Sequence, residues 1–405
     1  MNRLFLLIGA AFFAAPASAE SVVRDGDHIA IVGNTFADQL RINGYMETLL
    51  QQHADISLRN LGWAGDTLTQ RDRPTNFPSE ETTLTEQKTD VIIACFGMSE
   101  SYAGEPGITA FQKNLKDFIA SHKAKKYSGE TAPRLVLVSP IAYEYHSSST
   151  TPDYANRNKD LKAYAAAMKE TAAEEEVAFI DLYTPTRAML DEAGETKLTT
   201  NGIHLTPLGY WAVSHLIASQ LIEGSGEPWK LTIDAKSKSG TANDVDISEI
   251  VAEKKNLYFS VKETTAASPS PPTGQTTPSL FAAQRDTLVI ENLDPGEYIL
   301  TVDGVEIATA NHAEWAQGVA IDSSPAHTEA EAFRAAVNDK NLQFLYNWKA
   351  LNQVHIVGER KRSPSGKSLP AEQEKFNELA KQQEKALREP REPKTRQWKL
   401  IARGL

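Results

Sequence analysis

From Asp27 to Ile222 the chain alternates short runs of consecutive apolar residues with longer stretches whose apolar positions recur at helical spacing. His28-Ile29-Ala30-Ile31-Val32 is the first run and ends at Gly33, and Ala37 to His53 follows with Leu40, Tyr45, Leu49 and Leu50 near a helical period. Val91 to Phe96, Arg134 to Ser139 and Val177 to Ile180 repeat the pattern, while Ile108 to Ala124, Asn156 to Glu176 and Gly209 to Leu221 read as helices. Unbroken apolar strands separated by helices predict a mostly parallel sheet covered on both faces, an α/β domain spanning 20–228. Ligands of such sheets sit beyond the carboxyl ends of the strands, which here are Gly33, Gly97 and Ser139.

The pattern changes after Pro228. Trp229 to Ile233, Leu257 to Val261, Thr287 to Ile290 and Tyr298 to Val302 read as strands, and Asp303-Gly304 is a hairpin turn. These predict a small β-sandwich over 229–322, with the Ser/Pro/Thr-rich interval from Thr264 to Ser279 as a loop inside it. Helical spacing returns from Glu329 to Lys349, and Ala371 to Arg388 reads as a polar helix rich in Glu and Lys, so 323–405 is expected to form a helical tail.

Residues 1–19 stand apart. Arg3 precedes an apolar run from Leu4 to Ala15, and Ala17-Ser18-Ala19 is a signal-peptidase type of cleavage site, so an exported protein, periplasmic or secreted, is expected. The run is too short to span a bilayer, which leaves no membrane anchor once it is removed. Cys95, the single cysteine, lies inside an apolar strand and reads as a buried thiol rather than a nucleophile. A formal charge of −11 argues against a nucleic-acid partner. From Glu359 to Leu405, however, 13 Lys and Arg face 7 Glu, so the basic tail is expected to dock on the acidic body or to form a solvated charged helix. Histidines 53, 122, 146, 215, 312 and 355 show no metal-ligand spacing, and phosphate-binding glycine patterns are absent, so neither metal nor cofactor is expected.

Four short stretches carry the candidate chemistry: Gly33-Asn34-Thr35, Gly65-Asp66-Thr67, Gly97-Met98-Ser99-Glu100 and Asn201-Gly202-Ile203-His204. Ester hydrolysis needs a nucleophile, a base, a group that orients the base, and donors for the tetrahedral oxyanion. Thr35 stands where a strand gives way to a helix, Gly65 and Ser99 offer donors, and Asn201 precedes His204 by one turn. In this order, and with neighbouring text such as Asn60-Leu61-Gly62-Trp63-Ala64-Gly65-Asp66-Thr67, residues 27–222 resemble the SGNH or GDSL hydrolase family.

The resemblance implies a three-layer, flavodoxin-like α/β/α domain and deacylation of an O-acyl, foremost O-acetyl, group on a carbohydrate or small ester. By position it makes Thr35 the nucleophile, His204 the base, Asn201 its orienting partner, and Gly65 and Ser99 the oxyanion donors. Asn34, Arg71, Arg73, Glu100, Tyr143 and His146 are the substrate-contact candidates. Several positions depart from the family pattern: Thr35 replaces serine, Asn34 and Asn201 replace aspartates, and Ser99 replaces asparagine. The methyl group of Thr35 restricts its rotamers. Asn201 cannot stabilise an imidazolium by charge, although its carbonyl oxygen is expected to orient the ring, or Asp38 or Asp66 to stand in. A non-catalytic module that binds a glycan or protein is therefore the alternative function.

Overall fold

The computed structural model describes residues 21–74, 77–146, 154–263, 266–273, 281, 284–352 and 362–403. The proposed export segment and part of the Thr264–Ser279 interval lie outside these residues.

The first unit is built on five parallel strands. β1 (His28–Gly33) leads through α1 (Thr35–Asn43) and α2 (Tyr45–His53) to β2 (Ser57–Asn60). After α3 (Glu80–Glu86) come β3 (Val91–Cys95), α4 (Ile108–Lys123), β4 (Arg134–Val138), α5 (Tyr154–Glu174), β5 (Ala178–Ile180), α6 (Tyr183–Glu192) and α7 (Pro207–Leu221). The strand order is β2-β1-β3-β4-β5, all pairs parallel, so every carboxyl end lies on one edge. Alternate residues of the strands enter different cores. Ile29, Ile31, Val91 and Ile93 pack with α2 and α7, whereas Ala30, Val32, Ile92 and Ala94 pack with α4 and α5. The mostly parallel three-layer expectation is thus met, and burial on both faces explains why the strands are apolar without alternation.

The second unit packs two sheets on a shared core that includes Leu231, Phe259, Leu288, Leu300, Trp315 and Trp398. One sheet orders β13-β10-β6-β7 and the other β12-β11-β14-β9-β8. Their strands are β6 (Lys230–Asp234), β7 (Ser239–Asn243), β8 (Val245–Glu253), β9 (Asn256–Glu263), β10 (Thr287–Glu291), β11 (Glu297–Val302), β12 (Val305–Asn311), β13 (Val319–Ala320) and β14 (Thr395–Ala402), with the short helix α8 (His312–Gln317) before β13. Asp303 and Gly304 turn β11 into β12 at positive φ, as the Asp-Gly pair predicts.

The tail differs from its expectation in one respect. Its helices α9 (Pro325–Trp348) and α10 (Pro364–Leu387) are present, but β14 returns to the sandwich and pairs between β11 and β9. Arg396, Trp398 and Leu400 alternate inward there, a period of two embedded in a charged segment.

Both tail helices pack on the α/β unit beside β2, the edge strand. Lys340 is fully buried, pairs with buried Glu47, and its Nζ donates to the Leu58 carbonyl oxygen at 3.0 Å. Asn341 donates to the same carboxylate at 2.8 Å. Arg59 of β2 meets Glu384 of α10 through two bonds at 2.5 and 2.7 Å. An edge strand is thereby covered rather than left open to pairing with another chain. Burial raises the Glu384 carboxyl, but Arg59 and Lys340 outweigh it and hold that group at about 2.

Candidate active site

All four sequence blocks gather at the carboxyl edge of the parallel sheet; bonds join the first three, and packing sets the fourth beside them. At Gly33, with φ of +136°, a Cβ would lie 2.2 Å from the Cys95 carbonyl oxygen, so the close approach of β1 to β3 admits only glycine. Asn34 follows, its N–H donating to that oxygen at 3.2 Å and its Oδ1 accepting from the Phe36 N–H at 3.0 Å. This is an N-cap, which makes half-buried Thr35 the first residue of α1, at the positive end of the helix.

The second block hangs on the first through the Trp63 N–H, which donates to the Gly33 carbonyl at 2.9 Å, and it leaves Gly65 exposed. Glu100 ties the second block to the third: its carboxylate accepts from the Leu68 N–H at 2.9 Å and the Gly97 N–H at 2.8 Å. Ser99, half-buried, stands between these anchors.

The fourth block is a turn closed by the Thr200 N–H to His204 carbonyl bond at 2.7 Å. Ile203 and Met98 pack on one cluster formed by Ala142, Tyr143, Leu161, Ala165 and Tyr183, which sets this turn beside the third block. The rings of Phe36 and Tyr210 stack at 6.1 Å, which sets the start of α7 beside the start of α1.

The residues after β4 brace the His204 turn. The Tyr143 ring fills the space where a Gly202 Cβ would stand, at 2.4 Å. The Glu144 carboxylate, buried, accepts from the Thr199 N–H at 2.7 Å and its hydroxyl at 2.6 Å. His146 Nε2 lies 2.9 Å from the same hydroxyl, and that oxygen accepts from the Gly202 N–H at 2.9 Å.

Arg71 pairs with Glu80 and stacks over Phe96 and Phe118, and Arg73 meets Asp66 through bonds of 2.7 and 2.6 Å while lying 4.5 Å over the Trp63 ring. Together with Phe77, Glu80 and Trp348 from the tail they line a cavity of about 190 Å³. Burial raises Glu80, but its hydrogen bond from His122 and the charges around it win and leave its carboxyl below the usual range.

The pair at the centre of the chemistry is oriented unambiguously. Asn201 Oδ1 accepts from two backbone donors, the N–H groups of Ile203 at 3.3 Å and His204 at 3.0 Å. Its Nδ2 therefore faces His204 Nδ1, at 2.9 Å. A flipped amide would point its own hydrogens at those two N–H groups. The expectation that Asn201 orients the ring through its carbonyl oxygen is thus corrected, because that oxygen is already committed to the turn. An amide donor at Nδ1 leaves the neutral imidazole with its proton on Nε2.

Asp38 and Asp66 are committed elsewhere as well. Asp38 is held by Lys349 at 2.7 Å and Arg41 at 3.3 Å, and Asp66 by Arg73. Burial pushes the Cys95 thiol up to about 12, so it stays neutral. Among the described residues no three or more His, Cys, Asp or Glu side chains converge as a metal site requires, and no helix is long and apolar enough to cross a membrane.

A parallel α/β sheet with a hydroxyl at the first strand's helix junction and an Asn-x-x-His turn before the final helix defines the class: a three-layer domain of the SGNH type. Residues 26–212 match the GDSL-like Lipase/Acylhydrolase family. A probable rhamnogalacturonan acetylesterase of Bacillus subtilis is 31% identical over 124 residues, 28% of this chain and 52% of that protein, so the match spans about half the relative's length. The structure of a gut microbial diltiazem-metabolizing enzyme superposes on 94% of this chain and 99% of its own, with a TM-score of 0.65 and 17% identity. That likeness shows that the fold recurs with its sandwich and helices included.

Two contributors escaped the sequence reading. Arg157, in a polar helical stretch that resembles a solvated face, is buried against the third block. Glu144, in the stretch that follows β4, has its carboxylate turned inward beneath the His204 turn. Neither carries a local sequence signal, because each is defined by a partner more than fifty positions away.

Proposed function

We propose that this chain is a carboxylic-ester hydrolase that removes O-acyl, foremost O-acetyl, groups from a carbohydrate or small ester. The observation that carries the reading is the position of Thr35 at the head of α1, on the same sheet edge as a bonded Asn201–His204 pair, within a domain that matches an acylhydrolase family. The acetylesterase relative supports the acetyl and carbohydrate preference.

In the reaction Thr35 Oγ bonds to the acyl carbon and its proton passes to His204 Nε2, which accepts it only after the imidazole has moved its own proton from Nε2 to Nδ1 and the Asn201 amide has given up its bond to that nitrogen. The carbonyl electrons move onto oxygen, facing Gly65, Ser99 and the Thr35 N–H as donors. Collapse expels the alcohol, which takes the proton from His204, and water then releases the acid from Thr35 by the reverse sequence. Arg73 holds the second block through Asp66, Arg71 lines the neighbouring cavity, Tyr143 and His146 brace the His204 turn, and Asn34 and Glu100 hold the loops. Residues 1–19 act in this reading as a removable export signal, which places the mature chain in the periplasm or outside the cell.

The direction of the Asn201 amide favours a second reading, a module that binds such an ester or glycan without turnover, since an Nε2–H imidazole donates rather than accepts. Hydrolysis of an activated aryl acetate separates the two. Slow turnover that His204→Ala abolishes supports the hydrolase, whereas turnover indifferent to His204→Ala leaves the binding module.

A further inference from the structure

The third block is backed by a guanidinium group whose environment differs from those of the other buried arginines. Arg157 on α5 is only 5% exposed. Its Nη2 donates to the Met98 carbonyl oxygen at 2.7 Å and to the Ser101 hydroxyl at 2.8 Å, and its guanidinium lies 3.7 Å over the Tyr102 ring. Nε and Nη1 are buried without an acceptor. Elsewhere this fold gives buried guanidinium groups carboxylates: Arg59 faces Glu384, and Arg396 faces Glu263 and Glu329. Among the described residues no carboxylate lies at ion-pair distance from Arg157, and Asp160 acts on it only from farther away. Burial lowers its pKa, with Tyr102 and Asp160 opposing, yet an arginine remains charged. A buried, unpaired cation is unfavourable, and it persists where the site gains from it.

We propose that Arg157 is a positioning residue that makes the Met98–Ser99 segment favourable to negative charge in the adjoining acyl site. The proposal rests on the hydrolase reading for its chemistry, but not for its test. A guanidinium bonded to the Met98 carbonyl polarises the peptide that carries the Ser99 N–H and strengthens that group as a donor. The same bond, with the Ser101 hydroxyl donating to the Met98 oxygen at 2.7 Å, fixes the loop at the position where serine supplies a shorter donor than the family's asparagine. A fixed positive charge behind the loop then opposes little reorganisation when the carbonyl oxygen becomes an oxyanion.

Arg157→Met and Arg157→Lys test this through aryl acetate kinetics and titration with methylphosphonate, a tetrahedral anion. The methionine variant is expected to lower kcat about tenfold or more with KM changed by less than about threefold, and to weaken methylphosphonate binding by about tenfold. Lysine, which keeps the charge, is expected to recover part of both losses. Wild-type methylphosphonate affinity in Arg157→Met, a loss confined to KM, or a lysine variant no better than methionine at an unchanged melting temperature would each overturn the proposal. If Arg157→Met does not fold, Arg157→Lys decides alone: its single ammonium should cost affinity about threefold, and unchanged affinity overturns the assignment. A wild type that fails to hydrolyse the aryl acetate sinks the hydrolase reading, while the dependence of methylphosphonate binding on residue 157 still judges this one.

Discussion

Replacing Asn201 with aspartate changes one group at the point where the site departs most from an efficient acyl-transfer centre. The N–H groups of Ile203 and His204 already hold Oδ1, so the carboxylate takes the same pose, with its second oxygen in place of Nδ2, 2.9 Å from His204 Nδ1. Nδ1 then keeps the proton, and Nε2 becomes an acceptor for the Thr35 hydroxyl. A unit charge at 2.9 Å from an imidazolium is worth about 1.4 kcal/mol under water-like screening and about 5.7 kcal/mol at an effective dielectric constant of about 20. Asn201 is exposed, so the true value lies between these limits. At about 1.4 kcal/mol per decade the gain in kcat is about 10- to 10⁴-fold. The added carboxylate also favours the imidazolium, so the acid limb of kcat/KM should move to higher pH by about one unit or more. Aryl acetate hydrolysis across pH measures both effects, and ring nitrogen NMR reports the tautomer. A wild-type imidazole protonated at Nδ1, or an Asn201→Asp variant no faster than wild type, would refute the reasoning.

Three further outcomes follow from the packing. Gly33→Ala should cost about 3 kcal/mol or more in urea unfolding, because its Cβ meets the Cys95 carbonyl oxygen at 2.2 Å and φ is +136°. Lys340→Ala should cost about 3–5 kcal/mol by stranding buried Glu47, and Lys340→Met combined with Glu47→Gln should recover much of that loss, which a double-mutant cycle would detect. Glu384 is held at about 2 against an ordinary 4.5, so its contribution, about 3 kcal/mol, is fully present above pH ~4.5 and lost as pH falls toward ~2; unfolding free energies measured across that window should flatten in Glu384→Gln.

The α/β unit was legible because its strands are apolar on both faces and glycine ends β1 where β3 approaches. Strand β14 was hidden by company rather than by pattern: Arg396, Trp398 and Leu400 alternate inward, but the surrounding lysines and arginines suggested a solvated helix. Strand β7 is exposed and polar, and the apolar alternation of β8 breaks at the register shift between Ser248 and Val251, so neither offered a sustained hydrophobic period to read. At the site, the order of the four blocks anticipated a common sheet edge. The direction of the Asn201 amide and the burial of Arg157 could not be anticipated, since both depend on which backbone groups the fold delivers to those side chains.

The insertion of β14 between β11 and β9 also sets a timetable for the sandwich. As the chain emerges in order, β9 and β11 are made long before the strand that joins them, and each presents an unpaired edge until α9 and α10 have been synthesised. Those helices carry the missing strand across the α/β unit to its slot, so their docking shortens the search that the strand must make. A lesion in the Lys340–Glu47 or Arg59–Glu384 contacts would then show itself far away, as open sheet edges and aggregation during synthesis, even in molecules whose α/β unit is intact.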